Sequence, residues 1–190
     1  MEGPKSETDS QMGPTDNPQR EVILKDEGDV DPKYQLNIEV EMLRTTITSS
    51  NTAEFQVTVT NSGPERLISI HQKGCQILNR WEKISEPPGI WLEDPDVTPS
   101  GDKWVADKPS DEPRAFFMYE CGGTTWKQGE SKSFKYAIWH DYEEPGYLNP
   151  GTYKWDKDIK IRPLPDSSDS DEKEGSTVSW NLTLELTSPE

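Results

Sequence analysis

Residues 34–42 run Tyr34, Gln35, Leu36, Asn37, Ile38, Glu39, Val40, Glu41, Met42, with apolar and polar side chains in strict alternation. Successive side chains of a strand point to opposite faces, so a period of two predicts a strand with one dry and one wet face. On a helix the same pattern would scatter its apolar residues around the whole circumference. The pattern returns at Phe55, Val57 and Val59, between Glu54, Gln56, Thr58 and Thr60. It returns again at Phe134, Tyr136 and Ile138, and most cleanly at Val178, Trp180, Leu182, Leu184 and Leu186.

Working outward from these four segments, turn chemistry separates further apolar runs. Asn61, Ser62, Gly63 and Pro64 make a turn, because glycine tolerates positive φ and proline cannot continue a ladder. Leu67–Ile70 follows as a short strand, and Cys75–Ile84 is a further candidate. Ile90–Leu92, Lys103–Val105 and Ala115–Tyr119 are short apolar runs in or after a proline-rich, acidic connection over residues 86–113. Trp126 to Glu130 reads as a turn, and Tyr153, Trp155, Ile159 and Ile161 as a late strand. About eight strands result, with no segment of helical period. Antiparallel sheets with one wet face each, packed face to face, give an all-β sandwich. Its expected span is 34–190, with the acidic stretch 163–176 as a loop inside it. Residues 1–33, polar and punctuated by proline, read as a disordered acidic tail. The alternative is that Val22, Ile23 and Leu24 add an edge strand to this domain or to a partner.

The chain has 190 residues and a net charge of −16, from 36 acidic and 20 basic side chains. A surface of that sign repels nucleic acid and anionic lipid, so neither is an expected partner. It suits a high-salt medium, where screening removes the self-repulsion, and this composition resembles that of halophilic archaeal proteins. The 14 Lys against 6 Arg are not the usual balance there. No apolar stretch approaches the ~20 residues of a membrane span. The first residues have no apolar core of a signal peptide. Read literally, that start implies a cytoplasmic protein, whereas a removed leader would imply a secreted or surface one. Cys75 and Cys121 can form one disulfide or remain free thiols. Neither belongs to a CxxC pair and there are two histidines, so no metal site and no cofactor is expected.

Three segments resemble strands of bacterial and archaeal immunoglobulin-like domains. Residues 55–63 are similar to the second strand of adhesion-type modules, and Trp126 to Ser131 to the turn that leads into one of their later strands. Leu148, Asn149, Pro150, Gly151, Thr152 and Tyr153 are similar to the corner that opens a late strand. The same elements, in this order, occur in the BsuPI-type intracellular proteinase inhibitor domain. The resemblance covers roughly residues 53–161 and implies an immunoglobulin-like sandwich without assigning an activity. Tyr153 suits a tyrosine corner, its ring buried and its hydroxyl bonded to nearby backbone. Trp155 stands where antibody domains carry a cysteine, so their disulfide is absent.

Seven tryptophans are the first functional signal. Trp180 and Trp155 share the parity of core residues. Trp139 has the opposite parity to Tyr136 and Ile138 and should point outward or end its strand. Trp91, Trp104 and Trp126 fall in proline- or glycine-rich connections. Exposed aromatics stack on sugars or anchor protein partners, so Trp91, Trp104, Trp126 and Trp139 are the candidate binding residues. The competing reading is that they cover the sandwich ends beneath long loops. Carboxylates cluster at Asp94, Asp96, Asp102 and Asp107, at Asp141, Glu143 and Glu144, and at Asp156 and Asp158. None has the spacing of a calcium loop. His140, Asp141 and Glu143 lack a nucleophile motif beside them, so no enzyme activity is expected. Asn181 heads a glycosylation sequon within a strand. The expected function is therefore a non-catalytic module binding a protein or glycan. The alternative is a BsuPI-like inhibitor presenting the 86–113 connection to a protease.

Overall fold

The structure, a computed structural model, describes residues 18–70, 77–78, 85–107, 123–164 and 175–189. Among them are ten strands: β1 (Arg20–Asp26), β2 (Leu36–Arg44), β3 (Thr46–Ile47), β4 (Glu54–Asn61), β5 (Arg66–Ser69), β6 (Ile90–Glu93), β7 (Thr124–Trp126), β8 (Ser131–His140), β9 (Gly151–Pro163) and β10 (Ser176–Thr187). The only helical element among the described residues is a single 3₁₀ turn at Pro32–Tyr34. One sheet runs β3-β1-β10-β9-β5-β7 and the other β2-β4-β8-β6, with every strand pairing antiparallel. The arrangement is an all-β sandwich compatible with an immunoglobulin-like fold.

The inner faces are the ones the alternation marked. From the four-stranded sheet Leu36, Ile38, Phe55, Val57, Val59, Tyr136 and Ile138 are buried; from the six-stranded sheet, Trp155, Ile159, Val178, Trp180, Leu182 and Leu184. Each such side chain contributes roughly 1.5–3 kcal/mol by leaving water. The register keeps these residues on one face, since a one-residue slip would turn all of them outward. The β9–β10 hairpin pairs from Ile161 opposite Ser176 to Gly151 opposite Leu186, so the acidic stretch 163–176 joins neighbouring strands.

Two findings depart from the expected boundaries. Residues 20–26, expected within the tail, form β1, paired with β10 along most of its length and with β3 at Arg20 and Glu21, so Val22–Leu24 add a strand to this domain. Val22 is buried in the core, and Arg20 clamps the strand by donating from Nε to the Leu148 carbonyl at 2.6 Å. The strand count also exceeds eight. A bulge between Met42 and Arg44 bends the chain from one sheet to the other, so that β3 pairs with β1 instead of continuing β2. The expected strand at Ala115–Tyr119 and most of the candidate at Cys75–Ile84 lie outside the described residues. Ile77 and Leu78 are described, and both are core.

Candidate interaction surface

The four candidate tryptophans, Trp91, Trp104, Trp126 and Trp139, differ in how far they are covered. Trp126 ends β7 and is 1 % exposed. Its indole donates to Thr124 Oγ1 at 2.9 Å, and Lys132 Nζ stands 4.4 Å from the ring centre. Trp139 does face outward from β8, as its parity requires, but it is 2 % exposed. The expectation that it reaches solvent is therefore corrected.

The cover over Trp139 comes from residues 94–107. Where β4 has ended, Val105 bridges His140 in parallel, with His140 N donating to the Trp104 carbonyl at 2.7 Å and Ala106 N to the His140 carbonyl at 3.0 Å. That brings the Trp104 ring edge-on to Trp139, with centroids 5.8 Å apart at 63°. Trp104 is half-buried, and its indole donates to the Thr48 carbonyl at 2.8 Å. Both faces of β8 are consequently closed from Tyr136 to His140. Two of the four candidates thus serve the interior, and Trp104 is the wedge between loop and sheet.

Trp91 remains on the outer wall. It stands on β6 opposite Trp139, half-exposed, with its indole donating to Glu93 Oε2 at 3.1 Å and Tyr142 tilted 6.2 Å away. The wall it belongs to is polar. Towards the other end of β8, away from Trp91, Thr58 and Ser133 hydroxyls meet at 2.9 Å, and Thr60 and Ser131 at 2.7 Å. Glu54 pairs with Arg44 at 2.8 Å. A partly exposed indole beside a carboxylate can stack on a ring and hydrogen-bond a hydroxylated or cationic partner.

The carboxylate clusters are spent on turns and local pairs. Asp94 Oδ1 accepts from Asp96 N, Asp107 from Ser100, Asp141 from Glu143 N and Asp158 from Ser179, while Asp156 pairs with Lys154 at 2.9 Å. Among the described residues, no group of three or more His, Cys, Asp or Glu is placed to hold a metal ion. Buried His140 is a structural pin. Its Nδ1 accepts from Leu148 N at 3.2 Å and its Nε2 meets the Glu144 carbonyl at 3.0 Å, closing the 141–148 loop. Asn181 stands within β10, its Oδ1 buried, so the sequon belongs to a paired strand. Cys75 and Cys121 lie outside the described residues. Among the described residues, no helix is long and apolar enough to cross a membrane.

Sequence reasoning missed one buried polar hub. Asn61, fully buried at the end of β4, donates from Nδ2 to the carbonyls of Pro64 and Trp126 at 3.0 Å and of Lys127 at 3.1 Å. Its Oδ1 accepts from Gly63 N at 3.2 Å and Arg66 Nε at 2.9 Å. Arg66 Nη2 then reaches the Tyr34 and Gln35 carbonyls, each at 2.7 Å, and burial lowers the pKa of its guanidinium. The signal that marks it is the asparagine of the turn motif at 61–64, whose side chain can bond several nearby backbone groups. Comparison with known proteins finds no family model, no curated protein and no solved structure that matches this chain.

Proposed function

We propose that the chain is a non-catalytic interaction module that engages a protein or glycan partner through the wall around Trp91. One observation carries this reading: of the four tryptophans expected at the surface, Trp91 alone sits half-exposed on an outer sheet face, its indole bonded to the Glu93 carboxylate. The direct test is titration of the full chain with neutral polysaccharides and candidate proteins, following tryptophan emission. A change that Trp91→Ala abolishes and Trp104→Phe preserves supports the reading. A response indifferent to Trp91 sinks it.

A proteinase-inhibitor role is the second reading, supported by the loop over residues 94–107. Val97 is 44 % exposed at a turn in which Val97 N donates to the Asp94 carbonyl at 3.0 Å, and the loop base is clamped by Trp104. A protease panel decides it: stoichiometric slowing of at least one enzyme, lost in Val97→Asp, is required. The surplus of carboxylates further fits a protein adapted to high salt, as in halophilic archaea.

A further inference from the structure

Among the described residues, the four-stranded sheet ends on β2, nine residues long and paired on one side only, with β4. Its inward-facing residues turn their backbone groups away from β4, because Val40 N donates out of the sheet. The acceptor is Glu27 Oε2, at 3.0 Å. Among the described residues, no other group bonds the outward backbone of Ile38, Val40 or Met42.

Glu27 is held in place by a built turn. Trp180 Nε1 donates to the Glu27 carbonyl at 2.5 Å, and Gly28 N donates to Asp26 Oδ1 at 3.2 Å. Gly28 has φ +56°, and a Cβ there would come 2.8 Å from the Asn181 carbonyl oxygen. Only glycine fits, so the turn is pressed onto β10 and aims the preceding carboxylate at the edge of β2.

We propose that the β2 edge is a docking site for an extended peptide segment that alternates basic and apolar residues, and that Glu27 is the plug such a segment displaces. An unpaired strand edge offers a ladder of backbone bonds, and side chains set who can use it. On the wet face an incoming strand lies beside Glu39 and Glu41, so lysine or arginine at every second position is favoured. On the inner face it lies beside Val40 and Met42, hydrophobics only partly covered by the core, so the intervening residues are apolar. A second copy of this chain is the wrong partner, since β2 against β2 sets Glu39 and Glu41 against their own counterparts. Displacing Glu27 exchanges one charge-assisted bond for backbone bonds along the edge.

The inference is independent of Trp91, which lies on β6 at the opposite edge of the same sheet. The test uses the full chain and two end-capped heptapeptides, one alternating lysine with valine and one glutamate with valine. Binding is followed by amide shifts and exchange rates of Ile38, Val40 and Met42. The lysine peptide is expected to bind and slow these amides. Glu27→Ala should tighten it roughly tenfold, the worth of one hydrogen bond removed from competition. The double variant Glu39→Lys and Glu41→Lys, on an exposed face, should transfer the preference to the glutamate peptide. No binding by either peptide, binding that leaves the three amides unprotected, or a Glu27→Ala protein that pairs with itself instead would each overturn the proposal.

Discussion

Replacing Asn61 with alanine removes a side chain that holds together three parts of the fold. Its amide serves the carbonyls of Pro64, Trp126 and Lys127, and its oxygen serves Gly63 and Arg66. Pro64 and Lys127 stand on exposed turns, where water can take over their carbonyls. The Trp126 carbonyl and Arg66 Nε lie buried, without that access to water, although Nη2 keeps its bonds to the Tyr34 and Gln35 carbonyls. Each buried polar group left unpaired costs roughly 1–3 kcal/mol, more when charged, so a loss of about 3–4 kcal/mol is expected. At the ~2–4 °C per kcal/mol typical of chains this size, the midpoint should fall by about 10 °C. Urea unfolding followed by tryptophan emission measures it directly. Arg66→Met removes the partner that Asn61 shares, so the double variant should be less damaged than the two singles together, by about 1–2 kcal/mol. An alanine variant within about 1 kcal/mol of the parent would refute the hub, as would strict additivity with Arg66→Met.

Other consequences can be measured on the same protein. Burial raises the Tyr153 pKa above 10.0, so the folded chain holds this proton more tightly than the unfolded one. That contribution is complete below about pH 10 and is lost as pH rises through the higher folded value. The stability difference between the parent and Tyr153→Phe, about 1 kcal/mol at neutral pH, should therefore shrink in alkaline urea titrations. Trp104→Ala uncovers Trp139 and should cost about 2 kcal/mol, less than a fully buried tryptophan would. Acrylamide quenching should rise alongside, and unchanged quenching would contradict the cover. His140→Ala removes the bonds that its ring makes to Leu148 N and the Glu144 carbonyl and should cost roughly 1–3 kcal/mol by thermal unfolding. If the acidic surface is a high-salt adaptation, raising KCl from about 0.1 to 1 M, which shortens the Debye length from ~10 to ~3 Å, should raise the midpoint. A flat or falling midpoint would count against it.

What could be read from the chain was whatever depends on near neighbours. The period of two in β2, β4 and β10 is local, and the face it marks is the face the structure buries. The corner at Tyr153 was equally legible, since its hydroxyl reaches only four residues back, to the Asn149 carbonyl at 2.7 Å. β1 was the harder strand. Its apolar core is three residues long, and its burial depends on β10, more than 150 residues away. The surface was least legible. Trp139 has the parity of an exposed residue and loses its exposure to Trp104, which local pattern does not place above it. Tryptophan parity therefore predicts which way the indole points and not whether water reaches it.

The segments that resemble known domains explain why a resemblance of this kind assigns no activity. The asparagine of the first segment, Asn61, bonds the carbonyls of Trp126 and Lys127 in the second, and the third closes on itself through Tyr153 and Asn149. Each segment is a joint of the sandwich, so any protein that solves the same folding problem can carry it. The residues proposed to meet a partner lie elsewhere, at Trp91 beside Glu93 and along β2 with its guard at Glu27. The guard is informative because its worth to the fold is small. Glu27 is exposed, and its carboxylate satisfies a single edge amide that water would otherwise reach. A device that costs a built turn, a glycine at φ +56° and the indole of Trp180 is out of proportion to one solvent-accessible hydrogen bond. It is in proportion to keeping a long strand edge closed against the wrong strand, and a closed edge has a use wherever a right one exists.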